Sequence, residues 1–307
     1  MVAMIEMAES AGKPDYPFLR VTTMGDFALS RVVAQKAGRP RYRALEGEEL
    51  GNRRAALAIL KFLLCSPRRR ATKAEITRAL WTGRDPEHAN HIFDTAASTL
   101  RRQILYLPGI DSLLNTRRLN GETHLILATQ AWIWVDADAL IKLAQAALRQ
   151  EQQGNDPLHY LEAAHALDKG EFLEEDTGYR WTQGRRQTIE GAKRRVLYHL
   201  VGIYCKNRQT AKAEELLYTF LQTYPEDEDA LCRLLQLLAQ QGRRQEALNV
   251  YRYSAEQMQE TGKEPGIYTR QIIERLQQGM QVHEHSATYR ALQPHSIYAI
   301  YAIVMVA

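Results

Sequence analysis

One stretch of this sequence, Pro86 to Leu105, has the pattern of a helix with one apolar and one polar side. Its apolar residues recur every three or four positions, which places them on one face of a helix. These residues are Phe93, Ala97, Leu100 and Ile104. Asp85 before Pro86 is a start signal, because Asp can cap the first amides and Pro has no amide to leave unpaired.

The opposite side of this predicted helix carries short hydrogen-bonding side chains and two guanidinium groups. They are His91, Asp94, Thr95, Ser98, Thr99, Arg101 and Arg102. A helix of this kind can pack its apolar side on a core and present the other side to the major groove of DNA. Taken alone, the pattern is better explained by an amphipathic surface helix with solvated charges, because such helices are common in globular folds.

The charge distribution favours a polyanionic partner for the first half of the chain. From Arg20 to Val135 there are 19 Lys and Arg against 10 Asp and Glu, a net charge of +9. From Asp136 to the end there are 20 against 23, a net charge of −3. A basic half joined to a slightly acidic half suggests that only the first half meets a polyanion.

Two hairpins and three helices are predicted in the first half. Strand-forming runs flank Gly25-Asp26 within Leu19 to Arg31, and Asn120-Gly121 separates the runs Ser112 to Leu119 and Thr123 to Ala128. Asn-Gly is the strongest short hairpin signal. Helices are predicted for residues 53–65 and, from a capping box of Thr72 with Glu75, for residues 73–81. With the 86–105 helix, the order is hairpin, three helices, hairpin.

The second half is predicted to be almost wholly helical, with an internal repeat. Helices are expected at 137–151, 157–169, 179–207, 210–223, 229–241, 245–260 and 267–278. Ala213 and Leu217 recur as Ala247 and Tyr251 after 34 residues. A small residue followed four positions later by a large one, at this period, indicates a tetratricopeptide-like repeat.

Motifs for catalysis, cofactors, metals and membranes are not found in the sequence. It lacks phosphate-binding glycine loops and Gly-flanked serine nucleophiles, and we expect neither an enzyme nor a cofactor. His88 and His91 lack further metal ligands in the sequence. Three scattered cysteines indicate buried thiols in a reducing compartment. Because no signal peptide and no run of 18 apolar residues are present, a cytoplasmic protein without a membrane span is expected.

Several motifs resemble those of two known bacterial families. Arg20 to Leu127 resembles the winged-helix DNA-binding domain of response regulators, through AALAILKFLL, KAEITRALW, FDTAASTLRRQI and LLNTRRLNGETHLIL. Asp136 to about Gln278 resembles the bacterial transcriptional activator domain, through WVDADALIKLAQAA, KGEFLEEDTGYRWTQGRRQTI and AKAEELLYTFLQTYPEDEDALCRLLQLLAQQGRRQEALNVY. This pair in this order is the layout of the SARP family of pathway activators.

The resemblance implies a mainly α fold with a small α+β domain. An N-terminal winged helix-turn-helix would precede an α-helical tetratricopeptide-like repeat domain. The implied organisation is a flexible leader (1–17), the winged helix (18–135), the bacterial transcriptional activator domain (136–279) and a C-terminal tail (280–307).

The winged-helix resemblance also implies roles for the polar residues of the third helix and the second hairpin. Thr95, Ser98, Thr99 and Arg102 would face DNA, with His91 and Asp94 nearer the base edges and Arg101 as a phosphate clamp. Arg117 and Arg118 would enter the minor groove or touch its phosphates, although a solvated hairpin tip is as good an interpretation for either one. Arg68 to Arg70 is better explained as a solvated loop, and Trp181 with Arg185 as a packing or cation–π pair.

The hypothesis from the sequence is therefore a sequence-specific transcriptional regulator of promoter DNA. The resemblance implies activation, with RNA polymerase subunits as partners of the helical repeats and a homo-oligomer or tandem copies on double-stranded DNA. The alternative is a protein-interaction scaffold whose winged helix has lost DNA binding.

Overall fold

The computed structural model describes residues 14–36, 39–51, 53–106, 113–119 and 121–279. The predictions for residues 1–13, for Asn120 and for the tail after residue 279 lie outside the described residues. The chain divides into two compact units after Val196. The first unit therefore contains the predicted winged helix together with the first part of the predicted repeat domain.

A four-stranded sheet begins the first unit. Strand β1 (Leu19–Thr22) pairs antiparallel with β2 (Ala28–Lys36), which pairs antiparallel with β3 (Arg39–Ala44). The hairpin predicted around Gly25-Asp26 is thus confirmed. The other edge of β1 pairs in parallel with β7 (Ile133–Val135), and sequence analysis does not predict this strand.

Three helices follow this sheet along the chain, as predicted. They are α1 (Arg54–Cys65), α2 (Lys73–Leu80) and α3 (Pro86–Thr99). The capping box of α2 is present, because the Glu75 amide donates to Thr72 Oγ1 at 3.1 Å and the Thr72 amide donates to Glu75 Oε2 at 2.7 Å. The reciprocal bonds satisfy two amides that a helix start leaves free.

A three-stranded antiparallel sheet completes the winged-helix part. Its order is β4 (Arg70–Thr72), β6 (Glu122–Leu127) and β5 (Leu114–Leu119). The predicted second hairpin is β5 with β6, and Gly121 supplies the positive φ of 84° that its turn requires. The short β4 is an unpredicted third strand, which pairs with β6 in the register Ala71 to Leu125.

The second half of the chain is helical, as predicted. Its helices are α4 (Asp136–Gln152), α5 (Leu158–His165), α6 (Arg180–Lys206), α7 (Thr210–Thr223), α8 (Glu228–Gln240), α9 (Arg244–Glu260) and α10 (Ile267–Gln277). The observed α5 ends at His165, four residues before the predicted end. The mainly α class with a small α+β part is confirmed.

In the second unit, α8 packs against α7, α9 and α10. The repeated alanines, Ala213 of α7 and Ala247 of α9, are both fully buried. Leu217 is also fully buried, whereas its counterpart Tyr251 is half-buried. The buried small residues let neighbouring helices approach closely, as the 34-residue offset predicts.

Within the first unit, the loop after α5 lies directly on the β1–β2 turn. The Gly25 amide donates to the Glu171 carbonyl oxygen and the Leu173 amide to the Thr23 carbonyl oxygen, both at 2.8 Å. A Cβ atom at Gly170 would lie 3.0 Å from the Gly25 Cα atom. Glycine is therefore needed at position 170, the first residue of the segment Gly170-Glu171-Phe172-Leu173, because two backbones meet at this point.

A buried carboxylate joins the same turn to the start of α4. Asp136, which is 3% exposed, accepts hydrogen bonds from the Thr23 amide at 2.9 Å, Thr23 Oγ1 at 2.5 Å and the Met24 amide at 3.0 Å. These donors would otherwise be buried without partners, which costs free energy. Asp136 therefore holds the first sheet to the first helix of the second half.

The described helices include none that is both long and apolar enough to span a lipid bilayer. Of the three cysteines, Cys232 is buried, while Cys65 and Cys205 are only partly so. Burial raises the pKa of the Cys65 thiol to about 12 and that of Cys232 to about 11, so both stay protonated at neutral pH.

We expect Asp136→Ala to lower the free energy of unfolding by about 3 kcal/mol, because it leaves the Thr23 and Met24 donors buried and unpaired. Urea denaturation followed by circular dichroism measures this loss. The control is Asp26→Ala, which removes an exposed carboxylate from the same turn and should change stability by less than about 0.5 kcal/mol. Equal, small effects of the two substitutions would contradict the role given to Asp136.

Candidate nucleic-acid interface

Helix α3 begins and packs as its sequence predicts. Asp85 caps it by accepting from the His88 amide at 3.0 Å, and Pro86 is the first helical residue. The predicted apolar stripe is buried: Phe93 is 3%, Ala97 6%, Leu100 0% and Ile104 1% exposed. The stripe faces inward, and α3 packs against α1 and α2. One side of α3 is therefore fixed by its packing on the core, and the opposite side is directed away from the core.

The polar side of α3 faces solvent within the first unit. His91, Asp94, Thr95 and Arg102 are exposed, whereas Ser98 and Thr99 are half-buried. Four of the side chains predicted to meet DNA are thus open to solvent within this unit, and the two hydroxyl side chains are partly covered. The half-buried pair lies closer to the core, where short hydroxyl side chains suit contact with a phosphate better than with a base edge.

An ion pair links α3 to α2 at this surface. Lys73 Nζ lies 2.7 Å from Asp94 Oδ1, and the same ammonium group is 5.0 Å from the centre of the Phe93 ring. The Asp94 side chain is 66% exposed, so the pair is open to solvent. Sequence analysis does not single out Lys73. Its position directly after the Thr72 cap is the signal that places it on the first turn of α2.

Arg101 is engaged with the second hairpin. Its Nε atom donates to the Leu114 carbonyl oxygen at 3.2 Å and its Nη2 atom to Thr116 Oγ1 at 2.6 Å. Both acceptors belong to β5. The side chain predicted as a phosphate clamp therefore already joins the end of α3 to the hairpin, and a phosphate would have to compete with these bonds.

Arg117 and Arg118 point to opposite faces of the second hairpin, because successive side chains of a strand alternate. Arg118 shares its face with Thr116, which touches Arg101, so it lies on the α3 side. Arg118 Nε also donates to the Gly121 carbonyl oxygen at 3.3 Å. Arg117 pairs across the strands with His124 on the other face. The two neighbouring cations thus serve two different surfaces.

The interpretation of Arg68 to Arg70 as a solvated loop is wrong for its middle residue. Arg69 is only 9% exposed and donates to the carbonyl oxygens of Ala128 and Ile133, both at 2.9 Å. Its Nη2 atom also lies 2.5 Å from Asp138 Oδ2. Because these partners come from residues more than 50 positions away, local composition gives no sign of them. Arg68 and Arg70 are exposed, as the interpretation expects.

The predicted packing role of Trp181 is confirmed, and Arg185 has a different partner. The Trp181 ring lies 5.7 Å from the Phe62 ring and 5.8 Å from the Tyr179 ring, measured between centroids. Arg185 forms an ion pair with Asp138, the carboxylate that Arg69 also contacts. Asp138 therefore lies between two guanidinium groups, one from each part of the first unit.

The described residues contain no group of three or more His, Cys, Asp or Glu side chains arranged to hold a metal ion. His88 and His91 are both exposed on the polar side of α3. What the site offers chemically is a set of hydrogen-bond donors and cations around an exposed helix face.

Comparisons with known proteins give a family match and a structural neighbour. Residues 135–277 match the bacterial transcriptional activator domain. A search of curated protein sequences finds no match. Among solved structures, the chain is similar to Mycobacterium tuberculosis EmbR in complex with a low-affinity phosphopeptide, with a TM-score of 0.67 and 17% sequence identity. The similarity covers 92% of this chain and 71% of EmbR, and at this identity it shows a shared fold.

The matched domain begins at the last residue of β7, directly behind the winged-helix part. The matched family is a domain of transcription regulators and not a class of enzymes. Residues 135–277 therefore match the bacterial transcriptional activator domain, and the fold of the chain is similar to that of EmbR.

Proposed function

We propose that this protein is a sequence-specific activator that binds promoter DNA through α3 and the second hairpin. The observation that carries the proposal is the exposed polar side of α3, with Arg102 in the turn directly after it, in a part of the chain with a net charge of +9. The major groove is about 12 Å wide and admits one α-helix. A fixed apolar side and a free polar side are what such an insertion needs.

Arg102 is the strongest candidate for reading a base. Its side chain is exposed, and a guanidinium group can donate two hydrogen bonds to O6 and N7 of guanine. His91 and Thr95 lie on the same exposed side and could touch neighbouring bases. Asp94 could accept from the cytosine amino group once Lys73 turns to a phosphate.

The second hairpin would meet the DNA beside α3. Arg118 lies on the face that Arg101 connects to α3, so it is the hairpin cation best placed for a phosphate or the minor groove. Arg117 lies on the other face of the hairpin, and we assign it a minor contribution to DNA binding. Ser98 and Thr99 would hold phosphate oxygens, which set the register without reading sequence.

The helical repeats would recruit RNA polymerase or position a second copy on repeated half-sites. The activator-domain match supports this assignment, and a winged helix on adjacent half-sites gives each copy a defined spacing. We place the protein in the cytoplasm, where it would meet DNA.

Addition of purified polymerase holoenzyme to a protein–promoter complex should produce a larger complex in a gel-shift assay.

The alternative function is an interaction scaffold without DNA binding. Two observations favour it: the acidic Asp94 lies on the exposed side of α3, and Arg101 is already bonded to β5. The salt dependence of duplex binding separates the two functions. A DNA binder loses affinity steeply as salt rises because counterions are released, whereas a scaffold has no duplex affinity to lose.

We expect Arg102→Ala to weaken binding to the preferred site by about 10-fold or more, since one bidentate guanine contact is worth about 1–3 kcal/mol. The preferred site is first selected from a pool of random duplexes, and affinity is then measured by gel shift. Arg149→Ala removes an exposed cation from α4, outside the predicted interface, and should leave affinity within about twofold. An unchanged affinity of the Arg102 variant in moderate salt would contradict its assignment.

The two hairpin arginines should differ in the salt dependence of binding. Arg118→Ala should reduce the slope of log K against log salt concentration by about 1, the value for one lost phosphate contact. Arg117→Ala is the matched control, because it removes the same charge from the neighbouring residue on the opposite face. Equal slopes for the two variants, or a larger change for Arg117, would overturn this placement.

A further inference from the structure

The end of α3 departs from regular α-helix. After Thr99 the chain makes one turn of π-helix, Leu100–Ile104, closed by a hydrogen bond of 2.8 Å from the Leu105 amide to the Leu100 carbonyl oxygen. A π turn is rare and often lies at a functional site. The last carbonyl groups of a helix also lack partners within the helix. This turn therefore needs contacts from outside to persist.

Arg31 supplies those contacts from the first sheet. Its Nη2 atom donates to the Gln103 carbonyl oxygen at 2.9 Å and to the Ile104 carbonyl oxygen at 2.7 Å. A cation at the carboxyl end of a helix also interacts favourably with the helix dipole. One guanidinium group thus holds two consecutive carbonyl oxygens of the π turn.

The position of Arg31 in the sheet explains its direction. In β2 it lies opposite Leu19 of β1 and shares a face with Leu29, and both leucines are buried. Its guanidinium group lies 5.6 Å from the centre of the Phe18 ring. Burial lowers the pKa of Arg31, and the nearby Glu49 carboxylate acts in the opposite direction. The side chain leaves the edge of the buried face and ends at the π turn.

The π turn is connected on its other side to the second hairpin. Arg101, its second residue, donates to Leu114 and Thr116 of β5. The turn is therefore held from β2 by Arg31 and is itself bonded to β5 through Arg101. The next residue, Arg102, is the exposed side chain assigned to DNA. Its direction depends on the geometry of this turn.

We propose that Arg31 is a positioning residue for DNA recognition, which fixes the π turn so that Arg102 and the second hairpin address one duplex together. The proposal rests on the proposed function. If the turn relaxed to α-helix, the side chains of Arg101 and Arg102 would rotate about the helix axis. The Arg101 bonds to β5 would then break, and α3 and the hairpin would no longer be aligned. Arg31 acts through these two residues without touching a base.

The test compares Arg31→Met with Arg31→Lys in the full-length protein. Met keeps an apolar stem without donors, and Lys keeps the charge but lacks the planar fork of arginine. Arg41→Met on β3 is the control, since it removes an exposed cation from the same sheet. Gel shifts measure affinity for the selected site and for a random duplex across a range of salt concentrations. The hydrogen-exchange rate of the Leu105 amide reports whether its hydrogen bond to the Leu100 carbonyl oxygen, which closes the π turn, is retained.

We expect Arg31→Met to lower affinity for the selected site by about 10-fold, which is 1.4 kcal/mol. Affinity for the random duplex should change less than about twofold, and the salt slope by less than about half a unit. The Leu105 amide should exchange faster in Arg31→Met than in the wild type. Arg31→Lys should have an affinity and an exchange rate between those of Arg31→Met and the wild type. The control Arg41→Met should match the wild type in both.

Three results would overturn the proposal. A salt slope reduced by about 1 would show that Arg31 contacts a phosphate itself. Equal losses for the selected and random duplexes would show a general structural role, and unaltered affinities for both would show no role. If Arg31→Met does not fold, the same affinity and exchange measurements on Arg31→Lys test the proposal. If the wild type binds no duplex, the proposed function fails, and exchange at Leu105 alone then tells whether Arg31 holds the turn.

Discussion

The parallel pairing of β7 with β1 is the contact on which the rest of the first unit depends. It brings residues 133–135 beside residues 19–21, more than 100 positions earlier in the chain. The next residue, Asp136, can then accept from the buried amides of Thr23 and Met24. Closing so long a loop is entropically costly, and the buried charge-assisted hydrogen bonds offset part of that cost. Both the first sheet and the start of α4 obtain their positions from this contact.

The pairing of β7 with β1 also influences the position of α3. Arg69 binds the Ile133 carbonyl oxygen of β7 and the Asp138 carboxylate of α4, and β4 begins at the following residue. The segment between α1 and α2 is thereby tied to both sheets. Helix α3 then packs on α1 and α2, with its end held by Arg31. A helix held on several sides loses little freedom on binding, which favours affinity and specificity.

Sequence predicts the elements whose signals are local and misses those that depend on distant partners. The α3 stripe, the capping box and the Asn-Gly hairpin are local patterns, and all three appear where expected. Strands β4 and β7 have three residues each, too few for an alternation to be recognised. The partners of Arg69, Arg101 and Arg31 are fixed only once the chain has folded. The exposed positions of α3 follow from its local pattern, whereas the contacts that hold the helix in place do not.

The same distinction applies to charge. The net +9 of residues 20–135 counts Lys61 and Arg69, yet these pair with Asp176 and Asp138 from beyond Val135. Their charges are largely cancelled at short range. Arg101 instead donates to a neutral carbonyl oxygen and a hydroxyl group, so its charge still adds to the potential around α3. For the proposed DNA complex, the residues that produce the attracting field and those that would make the recognition contacts are thus overlapping but different sets. In the proposed DNA complex, the large positive count would favour the encounter, while recognition would depend on the few exposed cations whose direction the fold controls.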